Sequence, residues 1–353
     1  MRIYKQQNVL EAAQDRIRWT FDRFENVICA VSSGKDSSVL AHLACAEAVS
    51  RNRSVKLMFL DQEAEYHATV EHMRYLMAMP GVEPLWYQVP IRMTNATSYE
   101  DEFLRAWWAC EEWMREKEPN SIHCAEGAPQ RFYPFFDWFE GQQPKDSCSL
   151  IGLRSEESLN RYRAVTKHPA IDGIGWSSKG KITKFYPMYD WTFEDVWAFI
   201  ARSGMPYNKV YDWLYIKGVR IPQFRVSNLI HEKAFKCLAF LQEFEPETYE
   251  RLVRRLKGVS IAARYAKEKV MFRATTRPAA FETWLSYRDY LLDTVPTDHK
   301  QIFLNRFTGQ VENESAYRQQ VKQLLINDWE NNVPVIQKEE ITENILAKWR
   351  AIL

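Results

Sequence analysis

Short apolar runs alternate with segments of helical periodicity from residue 26 to about residue 200. The runs "NVICAV" (26–31) and "SVKLMFLD" (54–61) have the length and the β-branched content of buried strands. Each is followed by a segment whose apolar positions have helical spacing, residues 37–49 and 66–79. This alternation is typical of βαβ units with parallel strands, so the sequence predicts an α/β domain built on a parallel sheet.

The same pattern continues beyond the first two strands. Further strand candidates are "EPLWYQVPI" (83–91), "SCSLIGLR" (147–154) and "ITKFYPM" (182–188). The segment "TFEDVWAFIARSG" (192–204) predicts a helix that Thr192 caps, with Asp195 three residues on, and that ends at Gly204.

Two regions depart from the alternation. Residues 97–145 are crowded with aromatic side chains and lack strand alternation, which predicts an insertion or lid. Its tryptophans either stack on a nucleic-acid base or pack in a subdomain or dimer contact: Trp107, Trp108, Trp113 and Trp138. After Pro222 the pattern is almost entirely helical. We therefore predict an α/β domain over residues 1–222 with this insertion, and a helical domain over residues 223–353.

Composition narrows the class of protein but identifies no partner. The chain has 353 residues, 46% of them apolar, and a net charge of +1. No apolar run reaches the roughly 18–20 residues of a membrane span, and the N-terminus is too polar for a signal peptide, so a cytoplasmic location is expected. The six cysteines form no C-x-x-C pair, which favours reduced, mostly buried thiols over a disulfide framework, a zinc site or an iron–sulfur cluster.

The turn after the first strand, "SSGKDSS" (32–38), carries the most specific chemistry. The first N–H groups of a helix have no internal partner, and the helix dipole favours an anion beside them. Gly34 permits close approach of the backbone, the serines add hydroxyl donors, and Lys35 adds a positive charge. The turn lacks the spacing of a Walker loop, and Asp36 suits an anion site only if it holds a cation or orients the helix. The alternative is an ordinary capping turn, but the composition favours a phosphate-binding loop.

This turn resembles the PP-loop, usually S-G-G-K-D-S, of the adenine nucleotide alpha hydrolase superfamily, with Ser33 in place of the first glycine. Two further segments, "GLRSEESLNRYRAV" (152–165) and "YPMYDWTFEDVWAFIARSGMPYNKVYD" (186–212), resemble phosphoadenosine phosphosulfate (PAPS) reductases and the small, catalytic subunit of sulfate adenylyltransferase. The C-terminal region is similar to a PAPS-reductase-like subgroup of unassigned chemistry. The resemblance implies a Rossmann-like parallel sheet of the adenine nucleotide alpha hydrolase (HUP) type.

The resemblance also implies a set of site residues. Nucleotide phosphates would be held by the loop residues Ser32, Ser33, Gly34, Lys35, Asp36 and Ser37. Asp61, at the end of the second strand, would lie near the adenosine, and Gly152 and Arg154 would line the same crevice. Glu157 and Arg161 would pair and position a neighbouring arginine, Arg154 or Arg163, although a solvent-exposed i,i+4 ion pair explains their spacing equally well. Lys35, Asp36 and Arg154 are the expected catalytic group.

PP-loop enzymes typically split ATP between the α and β phosphates and release pyrophosphate. PAPS reductases instead attack the sulfonucleotide with a cysteine in a C-terminal E-C-G-[LI]-H segment, which this chain lacks. Its last cysteine, Cys237, lies in an apolar helical stretch, where burial raises a thiol pKa and makes it inert. We therefore expect ATP-dependent adenylyl transfer to an unknown acceptor, with Mg²⁺ entering through the nucleotide and Asp36 as a candidate ligand of that ion. The alternatives are a nucleotide sensor without turnover and a sulfonucleotide reductase that uses an external thiol.

Two partner hypotheses accompany this reaction. The resemblance to sulfate adenylyltransferase implies a possible second protein subunit. The segment 251–273 carries eight Lys and Arg residues against one Glu, which is typical either of nucleic-acid contact or of a solvated helix face.

Overall fold

The structure is a computed structural model that describes residues 6–98, 101–166, 170–171, 173–221, 224–231, 234–265, 276–328 and 331. The chain divides into two compact units. The first comprises Met1–Arg92 and Arg105–Ser227, and the second comprises Met93–Leu104 and Asn228–Leu353. Pro222, at which the sequence analysis places a domain boundary, lies outside the described residues.

Strands and helices alternate as predicted on both sides of the segment 97–145, and within that segment lies a short strand, Phe103–Ala106, that was not predicted. The strands are β1 Asn26–Ala30, β2 Val55–Leu60, β3 Val82–Tyr87, β4 Ile91–Thr94, β5 Phe103–Ala106, β6 Ser147–Ile151, β7 Ser177–Ser178 and β8 Thr183–Phe185. The helices are α1 Val9–Arg23, α2 Lys35–Ser50, α3 His67–Met77, α4 Phe132–Gly141, α5 Leu159–Thr166, α6 Phe193–Ser203 and α7 Val210–Ile216, with a 3₁₀ turn at Ser155–Glu157.

Six strands form one sheet in the order β3-β2-β1-β6-β8-β7, and β4 pairs with β5 in a separate two-stranded sheet. All neighbours from β3 to β8 are parallel, and only the short edge strand β7 is antiparallel. On the central strand, Cys29 lies opposite Leu57 of β2 and Leu150 of β6. The predicted fold class, a mostly parallel α/β sheet followed by helices, is confirmed.

The core of the first unit explains why α2 lies so close to the sheet. Ala41, Ala44 and Ala48 are fully buried, and they are spaced to share one face of α2. Small side chains on that face let the helix backbone approach its neighbours closely. Each large apolar side chain buried around them, such as Leu57 or Leu150, stabilises the fold by about 1.5–3 kcal/mol. Since α2 begins at Lys35, this packing fixes the position of the loop.

Helix α6 has the ends that the sequence predicts. The Thr192 side chain accepts from the Asp195 N–H, Asp195 accepts from the Thr192 N–H, and Gly204 ends the helix in the left-handed region at φ 64°. Just before the helix, Asp190 forms a two-pronged ion pair with Arg16 at 2.6 and 2.7 Å. These contacts anchor the segment that leads from β8 back toward the loop.

The described part of the second unit after residue 228 is helical. Its described helices are α8 Phe235–Phe244, α9 Pro246–Arg255, α10 Val259–Tyr265, α11 Trp284–Thr294, α12 Thr297–Phe307 and α13 Glu314–Leu325. A core that includes Leu291, Phe303 and Leu324 lies among α11, α12 and α13. Of the basic segment 251–273, residues 266–273 lie outside the described residues. No helix within the described ranges is long and apolar enough to cross a membrane.

The segment 93–104 packs with the C-terminal helices, although it precedes them by more than a hundred residues in the chain. The Lys257 N–H donates to Asp101 at 3.0 Å, and His299 pairs with Glu102 at 2.8 Å. At Gly258, φ is +85° and a Cβ atom would lie 2.4 Å from the Thr97 carbonyl oxygen, so glycine is required there. No pattern in the sequence indicated this association.

Candidate functional site

The loop 32–38 connects β1 to α2. Gly34 is the N-cap of α2, in extended conformation (φ −75°, ψ 152°), and supplies no side chain to cap the helix. The first N–H groups of α2 therefore depend on other partners. The Lys35 N–H donates to the hydroxyl of Tyr211 at 3.0 Å. The first of these N–H groups is thus satisfied by a side chain of the protein.

The loop hydroxyls form a compact hydrogen-bonded set. The Oγ atoms of Ser32 and Ser37 lie 3.2 Å apart, and Ser37 Oγ also accepts from the Ser32 N–H at 3.2 Å. Both Ser37 and Ser38 donate to the Gly34 carbonyl, at 3.0 and 2.9 Å. These bonds hold the first turn of α2 and the end of β1 in one fixed arrangement.

Ser33 adopts the left-handed conformation, with φ 59°. A side chain in this region costs roughly 1–2 kcal/mol relative to glycine. Ser33 is fully buried, and its hydroxyl accepts from Asn208 at 2.8 Å and donates to the Thr69 carbonyl at 3.4 Å. Asn208 also donates to Thr69 Oγ1 at 2.9 Å. These buried bonds offset the conformational cost and explain how serine occupies a glycine position.

Three charged side chains are linked at the loop, with the Asp36 carboxylate between two cations. Lys35 Nζ lies 2.8 Å from one carboxylate oxygen of Asp36, and Arg154 Nε donates to the other. Lys35 and Arg154 are only 5% and 4% exposed, so one partly buried carboxylate serves two buried cations. The ammonium also lies 5.3 Å from the ring of Phe193 and 5.8 Å from the ring of Tyr211. Lys35, Asp36 and Arg154 together carry a net charge of +1, which suits an anionic ligand.

Gly152 brings β6 against the loop. A Cβ atom at Gly152 would lie 2.9 Å from the Ser37 nitrogen and 3.0 Å from the Asp36 carbonyl, so only glycine allows this approach. Two residues later, Arg154 reaches Asp36. The structure therefore brings Gly152 and Arg154 to the loop, although both lie more than a hundred residues from it in sequence.

Glu157 and Arg161 form the ion pair that their spacing predicts, at 2.9 Å. Glu157 belongs to the 3₁₀ turn and Arg161 to α5, so the pair bridges two elements instead of lying within one helix. Arg225, which the sequence analysis did not select, also approaches Glu157 at 3.5 Å. The carboxylates beside Arg154 are those of Asp36 and Glu156, the latter at 4.0 Å.

Asp61 is fully buried. Its carboxylate accepts from Trp86 Nε1 at 2.8 Å, Gln88 Nε2 at 2.9 Å and Arg115 at 2.6 Å, and from the Glu63 N–H at 2.9 Å. The structure therefore places this carboxylate among protein donors, with no exposed surface. Contact between Asp61 and adenosine stays a prediction from the sequence.

The part of the insertion in the first unit is anchored on the segment after β2. Glu63, fully buried, accepts from the N–H groups of Trp107 and Met114, both at 3.1 Å. Trp107 is 1% exposed and donates its indole N–H to the Asp61 carbonyl at 2.8 Å. Because this indole is enclosed and hydrogen-bonded, its position agrees with the packed subdomain, the alternative to base stacking.

A buried histidine supports the loop from α3. His72 Nε2 lies 2.8 Å from Ser38 Oγ, and since that hydroxyl donates to Gly34, the histidine is the donor. Burial, with a smaller contribution from His42, lowers the pKa of His72 to about 4. The Tyr75 ring stacks on both imidazoles, at 5.7 and 5.8 Å. The neutral form of His72 is therefore the one that holds the loop.

We predict that stability falls with acidification because of His72. The unfolded chain takes up this proton near pH 6.5, whereas the folded chain does so only near pH 4, so acid favours unfolding across that window. The loss at pH 5 relative to pH 7 should be about 2 kcal/mol. In urea titrations at pH 5 and pH 7, His72→Gln should abolish the part of the stability loss that protonation of His72 causes. His67→Gln, a substitution at an exposed position of the same helix, should show the same loss as wild type. Equal pH dependence in wild type and His72→Gln would contradict the assignment.

The cysteines are less uniformly buried than predicted. Cys29, Cys45 and Cys148 are buried, and burial raises all three thiol pKa values, that of Cys45 to about 12. Cys110 and Cys124 are exposed. Cys237, which the sequence analysis places in buried apolar surroundings, lies on α8 and is partly exposed. Within the described ranges, no three His, Cys, Asp or Glu side chains are grouped to hold a metal ion.

The donor set around Asp36 does not fit a protein-held Mg²⁺ ion. Both of its carboxylate oxygens already accept from cationic groups, Lys35 and Arg154. A hard divalent cation needs several free oxygen ligands, which this carboxylate does not offer. The possible role of Asp36 as a magnesium ligand is therefore not supported.

Most of the chain matches two known protein families. Residues 26–217 match the family described as phosphoadenosine phosphosulfate reductase domain, and residues 218–351 match a domain of unknown function, DUF3440. An uncharacterized protein of Escherichia coli K12, YbdN, is 26% identical over 320 residues, covering 85% of this chain and 78% of that protein. The adenosine 5'-phosphosulfate reductase of Lysinibacillus sphaericus is 26% identical over 205 residues, covering 58% of this chain and 76% of the relative.

Solved structures resemble the chain only weakly. A phosphoadenylyl-sulfate reductase from Candida auris, in a phosphate complex, is 16% identical with a TM-score of 0.31, covering 60% of this chain and 93% of that one. An FMN adenylyltransferase from Candida glabrata, in complex with ATP, is 10% identical with a TM-score of 0.37, covering 60% of this chain and 62% of that one. The family match, in contrast, spans more than half of the residues. On that basis, and with the loop geometry described above, the chain belongs to the phosphoadenosine phosphosulfate reductase domain family.

Proposed function

We propose that the loop 32–38 binds the phosphates of an adenine nucleotide and that the chain transfers the adenylyl group of ATP to an unidentified acceptor. An oxygen of the acceptor attacks the α phosphorus, and the bond from that phosphorus to the bridging oxygen breaks. Pyrophosphate leaves with the electron pair, and the acceptor proton passes to solvent. The observation that carries this proposal is the Lys35–Asp36–Arg154 cluster at the start of α2, in which both cations are buried.

The cluster supplies what the departure of pyrophosphate requires. Negative charge grows on the leaving group, and two buried cations beside a helix N-terminus stabilise it more strongly than exposed cations would. Asp36 keeps Lys35 and Arg154 close together, which like charges would otherwise resist. Each preorganised donor contributes roughly a 10²–10³-fold rate factor in comparable sites.

Sulfonucleotide reduction is a second candidate, and the similarity to adenosine 5'-phosphosulfate reductases favours it. Cys29, Cys45 and Cys148 are unsuited to attack on sulfur because burial raises their thiol pKa values. In this alternative an external thiol attacks the sulfur of the sulfonucleotide, the bond from that sulfur to the bridging oxygen breaks, and the nucleotide phosphate leaves. A second thiol then releases sulfite as a disulfide forms. A second subunit, nucleic-acid contact through residues 251–273 and a cytoplasmic location stay predictions from the sequence.

The decisive experiment titrates the protein with ATP, adenosine phosphosulfate and PAPS in a calorimeter and measures pyrophosphate release. We expect ATP binding with slow pyrophosphate release in wild type. Lys35→Ala should lower the release rate roughly a hundredfold, because a preorganised charge beside the leaving group is lost. Lys209→Ala should release pyrophosphate at the wild-type rate, since Lys209, two residues before Tyr211, is 66% exposed. This substitution removes the same charge as Lys35→Ala and serves as the control.

Two outcomes would contradict adenylyl transfer. Binding of ATP without pyrophosphate release, in every acceptor mixture tried, would indicate a nucleotide sensor. Preferential binding of a sulfonucleotide, with sulfite released only when a thiol is added, would indicate the reductase alternative.

A further inference from the structure

The segment "PYNKVYD" (206–212) returns to the loop and contributes two contacts. Asn208 fixes Ser33, as described above, and Tyr211 lies at the start of α7. The Tyr211 hydroxyl accepts from the Lys35 N–H at 3.0 Å, and its ring lies 5.8 Å from Lys35 Nζ. A Cβ atom at Gly34 would lie 3.6 Å from the same hydroxyl. Tyr211 therefore occupies the N-terminus of α2, where an anion would bind.

The Tyr211 hydroxyl is set up to donate. It is only 3% exposed, and burial raises the pKa of the phenol well above its ordinary value, which the Lys35 hydrogen bond offsets only in part. The phenol therefore keeps its proton. Among the described residues no group accepts that proton, since the one hydrogen bond of this hydroxyl is received from Lys35.

Tyr207, four residues earlier, shows the contrast. Its phenol donates to the Asp212 carboxylate at 2.7 Å, so its proton is used within the protein. Tyr211 has the opposite arrangement, because it accepts from a backbone N–H and has its own proton left over. Tyr207 thus has a structural hydrogen bond, whereas the hydroxyl of Tyr211 can still donate a hydrogen bond at the loop.

We propose that Tyr211 is a phosphate-binding residue, whose hydroxyl accepts the Lys35 N–H and donates its own proton to a non-bridging oxygen of the nucleotide. Because the hydroxyl accepts from the helix terminus and donates to the phosphate, the phosphate interacts with the positive end of the helix dipole through one intervening hydroxyl. The phosphate then binds beside Tyr211, Lys35 and Arg154, which supply one neutral donor and two charged ones. This inference rests on the proposed function, since it requires that the loop bind phosphates.

Calorimetry with ATP and with inorganic pyrophosphate tests the proposal in wild type, Tyr211→Phe and Tyr207→Phe. A hydrogen bond to a charged group is worth about 1.5–3 kcal/mol, so Tyr211→Phe should weaken both ligands roughly 10- to 100-fold and by similar factors. Tyr207→Phe loses one hydroxyl from the same segment and should bind both ligands as wild type does. Thermal unfolding of each variant, with and without pyrophosphate, reports whether the fold is retained.

The outcomes separate this inference from the function on which it rests. Wild-type affinities in Tyr211→Phe, with binding lost in Lys35→Ala, would overturn the role of Tyr211 and leave the proposed function intact. A Tyr211→Phe variant that loses ATP but binds pyrophosphate normally would also overturn it, because the hydroxyl would then act away from these phosphates. A wild-type protein that binds neither ligand would overturn both.

Discussion

Asp61→Ala should lower the free energy of unfolding of the first unit by about 4 kcal/mol. The substitution leaves Arg115, which is 15% exposed at its side chain, without its buried carboxylate partner. It also removes the acceptor from Trp86, Gln88 and the Glu63 N–H, and each buried donor left unpaired costs about 1–3 kcal/mol, partly relieved by water. Urea unfolding followed by tryptophan fluorescence measures the loss.

Asp61→Asn is the matched control. The amide keeps one acceptor oxygen but no charge, so we expect a smaller loss than for alanine. Hydrogen exchange should show where the damage lies, because residues 105–121 are bonded to Asp61, Glu63 and Gln88 and should lose protection first. If Asp61→Asn instead keeps this protection and loses ATP affinity, the carboxylate contacts the nucleotide, as the sequence resemblance implies, and the structural interpretation is wrong.

Asp36→Ala should destabilise the unliganded protein by about 3 kcal/mol and make it unusually responsive to anions. Lys35 and Arg154 would remain buried side by side with no carboxylate between them, and breaking a buried ion pair from one side costs about 3–5 kcal/mol. We take the lower end of that range because the Asp36 side chain is 15% exposed. A bound anion would replace the missing charge, so pyrophosphate should raise the unfolding midpoint more in Asp36→Ala than in wild type.

Affinity and turnover should separate in this variant. Without the repulsion of Asp36, pyrophosphate should bind more tightly than to wild type, but pyrophosphate release from ATP should fall because Lys35 is no longer held in place. The double variant Asp36→Ala/Arg154→Met removes one of the two unpaired cations and should recover part of the stability. If Asp36→Ala were as stable as wild type and insensitive to pyrophosphate, Lys35 and Arg154 would not need the carboxylate between them, and this prediction would be wrong.

The candidate site was predictable where its chemistry is local. The strand–loop–helix order and the residue types of the loop indicated a phosphate site before any contact was known, and the structure brings Lys35, Asp36, Gly152 and Arg154 together. Asn208 and Tyr211 were missed. They lie in a segment whose motif had been noted, but the contacts to Ser33 and Lys35 span 175 and 176 residues, and no periodicity reports a contact of that kind.

The parallel sheet, the position of the loop 32–38 and the ends of α6 follow from the sequence alone, because hydrophobic period and capping residues act within a few neighbours along the chain. The tertiary structure alone decided that Asp61 is enclosed by donors, that Ser33 is held in a left-handed conformation and that residues 93–104 pack with the C-terminal helices. The physical reason is that the state of a buried polar group depends on which distant groups satisfy it. Folding selects those partners through the summed packing of a whole unit, which no short stretch of sequence encodes.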